Sequence, residues 1–322
     1  MLVVTGVFFT SCEKKPEPEE KKEPISLGIS KSFLSIPVYI AIAHDFFESE
    51  GLDLDIKEYG SGKLATDAML RGDVSISTAA DMPIVFNSFK EHDFCVFSTF
   101  TSTYSFVKII GRKDKGVRTA KDLKGKKIGA NMGTSSHFYL GAFLTYNHLA
   151  LKDIEIINKK TGQLPDALIK GEVDAISVWP PHTQKALKAL GDNAVFLKSP
   201  EIYRQTFSLA AKKDLVSKRR PALEKILRAL DKAALYINTN REKTVTALTG
   251  IFKVENDVIE TVLNEYRFGI SLDQALLVGL DDIARWALEN QFVREKKIPN
   301  YLEHLCTGVM DAVKPNAVTI IR

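Results

Sequence analysis

One block of eight residues occurs twice in this chain, and that repetition constrains its architecture more than any other feature. Asp67-Ala68-Met69-Leu70-Arg71-Gly72-Asp73-Val74 returns without gaps as Asp166-Ala167-Leu168-Ile169-Lys170-Gly171-Glu172-Val173, keeping residue type at nearly every position. A repeated stretch of this kind implies a repeated structural unit. The surroundings repeat as well. An apolar strand at 25–29 leads into a turn bearing Ser30, Ser32 and Ser35, a helix from 36 to about 50 and a strand at 52–59. A second strand at 127–131 leads into a turn at 133–136, a helix from 138 to about 150 and a strand at 154–158. Each half therefore reads β-α-β-α-β.

The helices rest on spacing: Val38, Ala41, Ile42 and Phe46 share one face, as do Leu140, Phe143 and Leu144. Pro37 is tolerated in a first turn and Gly51 stands just past the end. The strands are apolar runs suited to parallel sheets covered on both faces. Two α/β lobes enclose a cleft, and in open α/β sheets ligands sit beyond the carboxyl ends of the strands, where helix N-termini present free amides. The expected binding segments are thus the strand-to-helix turns at 30–35, 60–63, 79–83, 131–137, 161–163 and 178–181. Beyond about residue 212 the apolar stripes are helical and are expected to pack back on the first lobe. The segments 99–108 and 206–211 then become two strand-like crossovers, hinging near 103–107 and 206–209.

The N-terminus has a different character. Residues 2–9 are almost wholly apolar, Thr10, Ser11 and Cys12 follow, and 13–24 contain only Glu, Lys and Pro. A segment with nothing to bury cannot offset its ordering entropy, so 13–24 reads as a disordered tether. An apolar run, small residues, one Cys and a polar tether resemble a bacterial lipoprotein signal, which implies lipidation at Cys12. The expected division is a signal at 1–12, the tether at 13–24, lobe one at 25–107 plus 209–322, and lobe two at 108–208. No apolar run reaches the roughly 20 residues of a membrane-spanning helix.

Composition excludes some functions. Lys and Arg number 44 against 40 Asp and Glu, well interleaved, so a nucleic-acid footprint is not expected. The six histidines form no metal pattern: His44, His92 and His304 read as solvated or satisfied helix residues, and His182 as a rim residue. Cys95 and Cys306 form no CxxC; both read as packing residues, with a disulfide between them left open by the sequence. The Gly60-Ser61-Gly62-Lys63 turn lacks the first Gly of a phosphate loop and carries Leu64 where Ser or Thr is required, so nucleotide binding is not expected. No G-x-S-x-G elbow or recognisable acid/base carboxylate pair occurs. Trp286 reads as core.

Several segments in order resemble the nitrate/sulfonate/taurine group of importer-linked binding proteins with the type II periplasmic-binding fold. They are the run from Ile40 to Leu52, Ala79-Ala80-Asp81-Met82-Pro83, the run from Asp122 to Gly129, Gly133-Thr134-Ser135-Ser136-His137 and Val178-Trp179-Pro180-Pro181. The resemblance covers residues 25–305. It implies a two-lobed α/β fold with a hinge of two crossovers and a helical C-terminal third. It also implies that Thr134, Ser135, Ser136 and His137 grip an anionic or polar head group, with Ser32, Phe33, Gly62, Ala80, Asp81 and Trp179 as walls. Gln163 joins them from its strand-end turn. Thr134 or Ser135 also caps a helix, a contribution of about 1 kcal/mol. His137, three residues before Leu140, is expected at the crevice. Many relatives carry an acidic residue where Pro180 stands, which weighs against an amino-sulfonate such as taurine.

The expected function is that of a monomeric, lipid-anchored extracytoplasmic protein that delivers a small solute to an ABC permease and its cytoplasmic ATPase. Sulfonates, nitrate, pyrimidine precursors and aromatic acids all suit the scaffold. No cofactor, metal or catalysis is expected. The alternative is an enzyme of pyrimidine or chorismate-derived metabolism on the same fold.

Overall fold

A computed structural model of the chain describes residues 25–90, 93–198 and 200–321. Cys12 and the expected tether lie outside these residues. The chain builds two sheets. Strands β1 (Ile25–Ser30), β2 (Leu54–Tyr59), β3 (Ile76–Ala80) and β4 (Phe94–Thr103) enter the first sheet, and β5 (Lys108–Arg112), β6 (Lys127–Ala130), β7 (Glu155–Asn158), β8 (Ala175–Val178) and β9 (Ala194–Leu197) form the second. β10 (Gln205–Lys212) and β11 (Tyr266–Ser271) return to the first.

The strand orders are β11-β4-β10-β3-β1-β2 and β7-β6-β8-β5-β9. The repeat is visible in them. β2-β1-β3 and β7-β6-β8 are parallel triplets of the same order, each continued by an antiparallel strand, β10 beside β3 and β5 beside β8. The duplicated octet ends a helix in each half, Gly62–Arg71 and Leu164–Ile169. Gly72 and Gly171 follow in the left-handed region, at φ +91° and +74°, where a side chain would be strained. Asp73 N–H then donates to Ala68 O, and Glu172 N–H to Ala167 O, both at 2.9 Å. The same helix stop, with the same six-to-one hydrogen bond, thus feeds the third strand of each triplet.

The chain crosses between sheets at 104–107 and 198–204. The segments expected as crossovers, 99–108 and 206–211, lie largely within β4 and β10, which pair with each other in the middle of the first sheet. The lobe boundary expected at 208 therefore falls inside a strand of lobe one. The reason is that a buried apolar strand and an apolar crossover look alike in sequence.

Other expectations also shift. The first helix breaks after Ala43, and Asp45 adopts φ +52° before a short turn at Phe46–Ser49. The second runs over Ser135–Tyr146. The C-terminal third is helical except for β11, an edge strand whose Tyr266, Phe268 and Ile270 are buried in alternation. Its longest helix, Arg220–Thr239, buries Leu223, Ile226, Leu227, Leu230 and Ile237 and packs on Ile36–Ala43. Each such side chain contributes about 1.5–3 kcal/mol of burial. Cys95 and Cys306, read as packing residues whose pairing the sequence left open, form a disulfide with Cα atoms 5.8 Å apart. The C-terminal segment runs along β4, with Cys306 N–H donating to Val96 O at 2.8 Å, which brings the two thiols together.

Candidate functional site

Both triplets reverse their winding direction at their first strand, β1 or β6, and the carboxyl ends around those switch points face one cavity. Lobe one contributes Ser30 and Ser32 after β1, Ser61, Gly62 and Lys63 after β2, and Ala80 at the end of β3. Lobe two contributes Thr134 and Ser135 after β6 and Trp179 after β8. The cavity is small, about 20 Å³. Little free space separates the two lobes at this point.

Two helices aim their N-termini at this space. Gly62–Arg71 and Ser135–Tyr146 start at lining residues, and the first amides of any helix lack intrahelical partners. Each start carries about half a positive charge. Gly62 has no room for a side chain: a Cβ would lie 3.0 Å from the Phe207 ring and 3.1 Å from Ala80 N. Ser61 Oγ accepts from Leu64 N at 3.3 Å, and Ser32 Oγ is fully buried without a hydrogen-bond partner. The other wall is aromatic. Trp179 stacks on Phe106 of the first crossover, with centroids 5.4 Å apart and planes 17° from parallel, and Phe207 of β10 lies beside them.

Of the residues expected at the site, Ser32, Gly62, Ala80, Thr134, Ser135 and Trp179 line the cavity. Five are placed elsewhere. Phe33 is core, edge-on to Phe252 at 4.7 Å. Ser136 Oγ donates to Ser177 O at 2.6 Å and so ties the start of its helix to β8. Gln163 is exposed and accepts from Lys160 N at 3.3 Å. His137 lies on the far face of its helix, edge-on to Trp286 and Phe292 at 4.9 and 4.5 Å, with neither ring nitrogen hydrogen-bonded. Burial pushes its pKa down to about 4, so the ring is neutral at pH 7. The helix turns His137 towards the C-terminal segment, which local spacing does not reveal.

Asp81 stands next to the lining residue Ala80, but its carboxylate turns away. It accepts from Tyr203 Oη at 2.9 Å, Gln205 Nε2 at 3.1 Å, Thr206 N at 2.9 Å and Thr206 Oγ1. Burial pushes its pKa up to about 6 despite these donors. Tyr203 of the second crossover also packs edge-on against Phe138 of lobe two, with ring centroids 4.9 Å apart. Phe106 and Phe207 are the lining residues that the strand-to-helix rule overlooks. Nothing in the sequence separates an aromatic wall at a hinge from core.

Residues 32–244 match the family described as NMT1/THI5 like. The chain belongs to that family. Among relatives of this NMT1/THI5-like chain, a Bacillus subtilis (strain 168) protein named for aliphatic-sulfonates binding is 25% identical over 275 residues, spanning 82% of this chain and 81% of the relative. Two solved structures share the fold. The alkanesulfonate-binding protein SsuA from Xanthomonas axonopodis pv. citri, bound to MOPS, superposes with TM-score 0.76 at 18% identity, covering 88% of this chain and 98% of that one. The periplasmic aliphatic sulphonate binding protein SsuA from Escherichia coli superposes with TM-score 0.74 at 20% identity, covering 88% and 97%. The NMT1/THI5-like chain thus has the two-lobed periplasmic-binding architecture.

Proposed function

We propose that this protein captures a small organosulfonate lacking an amine in the interlobe cleft and hands it to an ABC permease. The observation that carries this reading is the pair of helix N-termini that meet from opposite lobes at one cavity. Unpaired amides and partial positive charge suit the three oxygens of a sulfonate, and the Trp179–Phe106–Phe207 wall suits its carbon chain. No Asp, Glu, His or Cys is among the described lining residues, so a ligand ammonium would lose its water without gaining a carboxylate. Among the described lining residues Lys63 is the titratable one, and its ammonium is paired with Asp67 at 2.8 Å, which favours capture over catalysis. The sulfonate relatives point the same way.

The Cys95–Cys306 disulfide supports a location outside the cytoplasm, where such bonds persist. Anchoring through a lipid on Cys12 follows from the sequence pattern alone. Mass spectrometry of the membrane-derived protein tests it, and an unmodified Cys12 thiol would sink it. Calorimetry with ethanesulfonate, methanesulfonate and nitrate tests the ligand class. Micromolar or tighter binding of an alkanesulfonate is expected, and nitrate alone binding would overturn the assignment.

A further inference from the structure

The charged side chains that flank the cleft are committed to one another. Lys31, between the lining residues Ser30 and Ser32, pairs with Glu58 at 3.4 Å. Arg204 of the second crossover forks onto both oxygens of Asp273, at 3.0 and 2.9 Å. The Asp81 carboxylate is held by Tyr203, Gln205 and Thr206. Lys63, the charged residue of the described lining, is paired as well: its Nζ donates to Asp67 at 2.8 Å, one turn further along the helix Gly62–Arg71. The lysine stem nevertheless reaches the opposite lobe, since a Cβ on Gly133 would stand 3.9 Å from Lys63 Cε. What stays free for a ligand is the partial charge of the two helix starts, about half a unit each and so about one positive charge together. Ser32 Oγ, buried at the cavity without a partner, adds an uncharged donor.

We infer that the cleft accepts a single negative charge and turns dianions away, and that Asp67 sets this specificity by holding the Lys63 ammonium. Asp67 is a positioning residue: it does not itself line the cavity and acts through Lys63. By neutralising Lys63 it keeps a full cation out of a site whose helix starts already balance one charge. A sulfonate fits that balance. Sulfate, with a charged oxygen in place of the carbon chain, takes a second charge out of water with nothing to meet it. This inference rests on the sulfonate reading and adds the charge class and the residue that sets it.

The test is calorimetry with methanesulfonate and sulfate, tetrahedral anions that exchange a methyl group for a charged oxygen. Ionic strength is held fixed, because salt screens exposed pairs. The native protein should favour methanesulfonate by at least about tenfold. Asp67→Asn frees the Lys63 ammonium, whose attraction grows with ligand charge. Sulfate should then gain at least about tenfold in affinity and methanesulfonate about threefold or less. The preference of the aromatic wall for a methyl group is common to both proteins and cancels in the comparison. Asp67→Glu keeps a carboxylate four residues from Lys63 and should restore the native ratio. Lys63→Met leaves Asp67 unpaired beside the cleft and should widen it. Equal affinities in the native protein, or an unchanged ratio in Asp67→Asn or in Lys63→Met, would overturn the inference and leave the sulfonate reading standing. Failure of methanesulfonate and ethanesulfonate alike to bind would overturn the sulfonate reading and this inference with it.

Discussion

Gly141 of lobe two and Trp286 of the C-terminal helix Gln274–Glu289 meet across the lobes so closely that a Cβ on Gly141 would stand 2.5 Å from the indole Nε1. Trp286 also touches His137 and Phe138, edge-on at 4.9 and 5.3 Å, so one side chain of lobe one clasps two turns of the helix that starts at the cleft. Gly141→Ala places a methyl group inside that clasp. It should hold the lobes apart, because lobe closure depends on such fits. A larger radius of gyration by small-angle scattering at saturating ligand is expected, with affinity at least about fivefold weaker. An unchanged radius and affinity would show that the clasp plays no part in closure.

His137 makes the stability of the fold depend on acid. Its folded pKa, about 4, lies below the ordinary histidine value of 6.5 because burial disfavours the charged ring. The unfolded chain therefore binds the proton first, and stability present above pH 6.5 is lost as pH falls towards 4, by up to about 3 kcal/mol. Asp81 acts in the opposite sense, since its pKa of about 6 is raised and its carboxyl becomes easier to bury as pH falls from 6 to 3.8. His137→Leu removes the first effect alone. Between pH 7 and 5 its melting temperature should fall less than that of the native protein, by about 4 °C. Parallel curves for the two proteins would refute the assignment.

The disulfide ties a central strand to the C-terminal segment across a sequence separation of 211 residues. Loop entropy alone would assign such a closure about 5 kcal/mol, and measured values for native disulfides run at about 2–5. Cys306→Ser should lower the denaturation midpoint, and a reductant should lower that of the native protein to match while leaving the variant unmoved. A variant as stable as the oxidised native protein would remove the bond from the account of stability.

Taurine offers a direct check on the missing carboxylate. It matches ethanesulfonate except for an ammonium group; the described lining holds no Asp or Glu, Asp67 is paired with Lys63, and Asp81 is committed to Tyr203, Gln205 and Thr206. Taurine should bind at least about tenfold more weakly than ethanesulfonate, reflecting an unpaired charge taken out of water. Comparable affinities by calorimetry would mean that a carboxylate reorients on binding.

By itself, the order of residues along the chain determined the two β-α-β units and the turns that line the cavity. The octet around Gly72 and Gly171, the Ser-bearing turns and the helical stripes are local patterns, and local hydrogen bonding and steric limits decide what they form. Gly62, Thr134, Ser135 and Trp179 were legible for that reason. Tertiary structure alone decided where side chains of equal local character point. His137 and Ser135 share one helix turn, yet one meets Trp286 and the other the cleft, because the C-terminal segment covers only one face. Asp81 looked like a wall residue until the second crossover supplied its donors, and Phe106 and Phe207, in segments read only as crossovers, line the cavity because both lobes meet there. The pairing of Cys95 with Cys306, and β11 at the edge of a sheet that starts at residue 25, likewise join segments that only long-range packing brings together.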